Sequence, residues 1–275
     1  MTIEFHQRGN PEKPILVCLT GLLGTPNDFD NLLEGFDKEF CFLLPEVDPD
    51  APNDEIMNYH AHSNRIYQEL KQNYSDRSAY FVGLSVGAKT VFHFASDFPD
   101  SFLGAIVTDM SPGFIDNSEL FRRLIGQDSR FNLEQDWKGI KKQIQDQFED
   151  RNLQVLIKSL IRRPDPKVEK FEWNNAMFGI EKAILNNCTD ELWNSLKEVS
   201  PKLEEKGAFF HLFRAEFMSG ITDEDQEKLD LIPAFRTNFV PKASHFLHIS
   251  HGHLLRACLE KFQETKNGTT QIASI

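Results

Sequence analysis

The stretch Gly83-Leu84-Ser85-Val86-Gly87 sets a serine between two glycines. A serine hydroxyl attacks a carbonyl only when a base takes its proton, and the oxyanion that forms needs fixed donors. The best base is His245, which follows the apolar run at 237–241 and precedes the last helical stretch. That places it in the chain order serine, acid, histidine. The acid has several candidates. Asp109 ends the run Ala105-Ile106-Val107-Thr108, which should lie beside the strand leading to Ser85. Adjacent strands are about 4.8 Å apart, so a carboxylate there would reach an imidazole above Ser85. Glu216 and Asp223 follow a later strand-like run and stay open as alternatives. Asp223, Glu224 and Asp225 read more naturally as the start of a helix capped by Thr222. The backbone N–H groups of Val86 and of Leu22, in the Thr20-Gly21-Leu22-Leu23-Gly24 loop, are the expected oxyanion donors.

Such an arrangement needs a strand before the serine and a helix after it. The apolar run at 80–82 supplies the strand and the stretch from about Ala88 to Phe98 the helix. Around them, short continuous apolar runs at 15–19, 40–44 and 103–108 read as strands buried on both faces. The second should stop at Pro45. Amphipathic stretches such as 58–74 separate the runs. Strand and helix alternate, which predicts a mostly parallel sheet with helices on both faces. From 114 to 206 the pattern turns helical and charged, with no convincing strand, and predicts an inserted helical cap or lid. The core is expected over 1–113 and resumes over 207–275 with two more strand-like runs and a final helix.

Bulk properties narrow the function classes. The chain has 275 residues, 40% of them hydrophobic, including 24 phenylalanines, which suits a broad apolar interior or an apolar pocket. A net charge of −12 argues against nucleic acid or an anionic membrane as main partner, since both favour a basic face. No apolar stretch is long enough to span a membrane and the first residues lack a signal core, so a cytoplasmic protein is expected. Cys18, Cys41, Cys188 and Cys258 have no metal-like spacing, and the first two read as buried thiols. His245, His248, His251 and His253 cluster, but no carboxylate or cysteine group joins them. The last three read as surface or capping residues rather than a metal site. His93 should pack on its helix, and His60 and His62 should be solvated or capping.

Together these residues resemble the α/β-hydrolases over nearly the whole chain, and more narrowly the small abhydrolase-domain acyl esterases. The loop and helix from Leu19 to Leu33 resemble that family's His-Gly-Leu-x-Gly segment, and 83–89 its Gly-His-Ser-Met-Gly-Gly-Lys elbow, including Lys89. Residues 106–112 resemble its Asp-x-x-Pro strand end, 156–184 its cap segment, and 243–249 its Gly-His-Trp-x-His segment. The resemblance implies cleavage of an ester or thioester of a small acyl group, without a cofactor, and favours Asp109 as the acid. The menaquinone-pathway synthases, which use a similar triad for elimination or C–C cleavage, are the second match. The chain departs at Thr20 and Leu84, where the esterases have histidine, and at Ala88, where they have a second glycine. These departures imply altered packing of the oxyanion loop. A binding protein with the same fold and little turnover is the competing class.

Overall fold

The computed structural model describes residues 3–21, 24–48, 55, 58–113, 132–147, 154, 157–158, 161–163, 168, 170–173, 190–217 and 219–266. It divides into two compact units. One comprises Met1–Asp48, Asn58–Ile115 and Cys188–Ile275, the other Pro49–Met57 and Asp116–Asn187.

The first unit is built on a seven-stranded sheet. Its strands are β1 (Ile3–Gly9), β2 (Ile15–Leu19), β3 (Cys41–Val47), β4 (Ala79–Leu84) and β5 (Phe102–Thr108), then two strands numbered after a short pair in the other unit: β8 (Phe210–Phe217) and β9 (Phe235–Ser244). Their spatial order is β1-β3-β2-β4-β5-β8-β9. Only β1 runs antiparallel, against β3; the remaining pairs are parallel. The polar, half-exposed β1 carries no continuous apolar run, so the sequence reading passed over it. Nor does β3 stop at Pro45. Its pairing with β2 ends at Leu43, so a residue without an N–H does no harm there, and Pro45 sits opposite Phe5 of β1.

Both faces of the sheet are covered, as the continuous apolar strands require. Ile15, Val17, Phe81 and Val107 pack with α2 (Tyr59–Asn73), α3 (Gly87–Asp97) and α5 (Asp190–Glu205). Leu16, Val82 and Ile106 pack against Leu32, Leu33 and α8 (Gly252–Lys266). The one-turn α1 (Asp30–Leu33) and α7 (Leu247–Ser250) join the second cluster through Leu32, Leu33 and Leu247, and α6 (Asp223–Asp230), capped by Thr222 as expected, joins the first through Leu229. Because α5 buries Leu192, Leu196 and Leu203 in the sheet's core, it belongs to the first unit, and the division falls near 187 rather than at 206. Cys18 and Cys41 are buried, and burial pushes both thiols up, so neither is a reactive thiolate.

In the second unit α4 (Trp137–Gln147) matches the expected helix there. A two-residue ladder of β6 (Ile161–Arg162) and β7 (Glu172–Trp173) replaces the expected absence of strand. Strands that short carry no alternation to read. Residues 114–131 and 174–189 of the stretch expected to be helical lie outside the described residues. Among the described residues no helix is long and apolar enough to cross a membrane.

The topology fixes where a site can form. β2 has β3 on one side and β4 on the other, so the order reverses there. The segments leaving β2 and β4 open a crevice at the carboxyl ends of the strands, the usual ligand position of an open parallel sheet.

Candidate active site

Ser85 stands in that crevice, one residue past β4 and two before α3. Its backbone takes φ +51°, a left-handed conformation costing about 1–3 kcal/mol for a residue with a side chain. The neighbouring glycines make the turn possible. A Cβ on Gly83 would lie 2.7 Å from the Ala88 Cα, and one on Gly87 would lie 2.5 Å from the carbonyl oxygens of Leu19 and Thr20. Both sites therefore admit only glycine, and the sharp turn lifts the Ser85 side chain off the sheet. The Ser85 N–H is held at 3.2 Å from the Thr108 carbonyl and 3.3 Å from its Oγ1.

His245 follows β9 directly, and its Nε2 lies 2.7 Å from Ser85 Oγ. Its Nδ1 lies 2.8 Å from Asp109 Oδ2. The three sequence candidates thus form one continuous chain of hydrogen bonds. Asp109 has no exposed surface. A buried carboxylate needs donors for its lone pairs, and this one has four. The Ala215 N–H (2.8 Å) and the Ser219 hydroxyl (2.6 Å) donate to Oδ1; the Gly220 N–H (3.0 Å) joins His245 at Oδ2. A carboxylate accepting from Nδ1 leaves Nε2 unprotonated and facing the serine hydroxyl, the tautomer a general base needs.

The alternative acids are corrected by position. Glu216 accepts from the Lys242 N–H at 2.6 Å, and Asp223 is an exposed residue paired with Arg214 at 2.6 Å; neither joins His245. The sequence reading missed Ser219 and Gly220 as partners of the acid. The signal was there: a hydroxyl and a glycine N–H occupy the loop where a late aspartate was sought.

Among the described residues the Val86 N–H, next to the serine, has no acceptor, and α3 begins with no side-chain cap at the positive end of its dipole. Gly21 closes the other side: a Cβ there would be 3.4 Å from the Ser85 Cβ. Leu22, the second expected donor, lies outside the described residues.

Other histidines depart from their expected exposure. His248, three residues past His245, is half-buried: burial first, then the nearby His245, pushes it down to about 4. His62 is buried. His60 is exposed as expected and pairs with Asp97 at 3.1 Å. His93 packs as expected and is held at about 4 by burial, with smaller contributions from His60 and Lys89.

Comparison with solved structures identifies the architecture. A marine microorganism esterase aligns over 94% of this chain and 98% of its own, with a TM-score of 0.72 and 19% identity. The chain has the α/β-hydrolase fold. An α/β-hydrolase fold protein from Chitinophaga pinensis aligns over 94% and 92% of the two chains (TM-score 0.63, 14% identity), and the thioesterase domain of the curacin biosynthetic pathway over 94% and 95% (TM-score 0.66, 15% identity). No protein-family model matches this α/β-hydrolase-fold sequence, and no curated protein does.

Proposed function

We propose that this protein is a serine hydrolase that cleaves an ester or thioester of a small, apolar acyl group through an acyl-enzyme. The reading rests on the unbroken path from Ser85 Oγ through His245 to the buried Asp109, with contacts of 2.7 Å and 2.8 Å. Ser85 attacks the carbonyl while His245 Nε2 takes its proton. Asp109 holds the ring and stabilises the imidazolium without itself being protonated. The Val86 N–H, with Leu22 as its expected companion, faces the oxyanion. His245 then returns the proton to the leaving alcohol or thiol, and water repeats the sequence to release the acid. Each step uses the chain's own groups and water. The small-acyl preference comes from the resemblance to acyl esterases; the solved structures of similar fold include an esterase and a thioesterase domain. A cytoplasmic setting belongs to the same proposal.

The test is covalent labelling with a fluorophosphonate, which reacts with activated serines. A single adduct on the peptide holding Ser85, absent in Ser85→Ala, is expected. A folded wild type that takes no label would overturn the proposal and favour a ligand-binding protein with the hydrolase fold.

A further inference from the structure

Lys89 is a charged residue in an unfavourable place. It lies in the first turn of α3, where the helix dipole disfavours a cation, and it is only 3% exposed. Its Nζ donates to the carbonyl oxygen of Gly113. The positions of these two residues are matched. Leu84 and Thr108 are the last register partners of β4 and β5. Ser85 and Asp109 come next on each strand; Lys89 and Gly113 stand four residues further along each. The bond therefore joins the two segments above the point where the strand ladder ends. From the other side the same segment is held by Asp225, whose Oδ2 accepts from the Ser111 hydroxyl at 2.9 Å. A Cβ on Gly113 would lie 2.8 Å from Asp225 Oδ1 and 2.9 Å from Trp193 Nε1, so the backbone there has no room to retreat.

We infer that Lys89 is a positioning residue: it braces the elbow helix against the segment following Asp109 and so fixes the separation of the nucleophile and the acid. This rests on the reading of Ser85 as nucleophile. The need is geometric. The two nitrogens of an imidazole are a fixed distance apart, so His245 contacts both partners only while Ser85 and Asp109 keep one spacing. Any drift lengthens one of the two bonds.

The experiment compares wild type with Lys89→Met, which keeps the length and volume but loses the donor, and Lys89→Ala. The fluorophosphonate labelling rate, kcat and KM on p-nitrophenyl butyrate, and the thermal melt are measured for each. In folded Lys89→Met the labelling rate and kcat fall about a hundredfold, as small misplacements of reacting groups do, while KM changes little. Propylammonium restores part of the activity of Lys89→Ala, and propanol restores none. A wild-type labelling rate in Lys89→Met, or a change confined to KM, overturns the inference. So does failure of both variants to fold, since Lys89 would then carry the scaffold rather than the site. An unlabelled wild type instead removes the hydrolase reading itself.

Discussion

Ser85 and Asp109 are neighbours across two strands. Each is the first residue beyond the paired strand ends Leu84 and Thr108, and each takes a left-handed backbone, φ +51° and +49°. Two strained, non-glycine residues side by side at the carboxyl ends of two central strands mark a place where the fold gives up stability for position. The Ser85 N–H to Thr108 and the Asp109 N–H to the Phe213 carbonyl (2.8 Å) hold the two strained turns. One histidine then spans both side chains.

Asp109→Asn tests the acid. An asparagine keeps the shape but presents an NH2 or a weaker oxygen to His245 Nδ1, which favours the wrong tautomer. Labelling and ester hydrolysis should fall about 10⁴-fold, with KM nearly unchanged. The same change in Asp223, exposed and paired with Arg214, should leave the rate at the wild-type level. Comparing kcat for the two variants decides between the early and the late acid.

Ser219→Ala tests how the acid is held. It removes one of four donors to Asp109, the short 2.6 Å bond at Oδ1. The stability loss should be about 2 kcal/mol, from one lost bond to a buried charge. Activity should fall about tenfold, because Asp109 gains freedom to turn away from His245. Urea denaturation and steady-state kinetics on the same sample separate the two effects. Unchanged kinetics would make Ser219 a purely structural partner.

The core of the site was legible because its signals are local. Gly83 and Gly87 announce the turn, and an aspartate ending an apolar run asks for a partner. The phenylalanine count misled more than it helped. Among the described residues nine of them, including Phe81, Phe92, Phe94 and Phe210, are fully buried side chains of the core, so their abundance says little about an apolar acyl pocket. β1 was hidden because its partner β3 is far along the chain and its own residues are polar. Ser219, Lys89 and Asp225 act through contacts more than 20 residues apart in sequence, which no spacing rule reveals.

Buried and half-buried histidines set an acid limit on stability. His211, the second residue of β8, is held at about 4 by burial, then by Lys261 and Arg236; His93 and His248 are held at about 4 as well. In the unfolded chain each titrates near its ordinary value of about 6.5. Above that pH both states are neutral and the full stability is present. Between about 6.5 and 4 the unfolded chain binds protons that the folded one refuses, so stability falls as pH falls. Each group contributes up to about 1.4 kcal/mol per pH unit across that window, and below it the loss stops growing. Urea midpoints from about pH 7.5 down to about pH 4.5 should therefore decline steadily. His211→Gln, which cannot take up a proton, should make the decline shallower. Carboxylates titrate alike in both proteins, so the difference between the two curves isolates His211; parallel curves would show that its burial does not couple to folding.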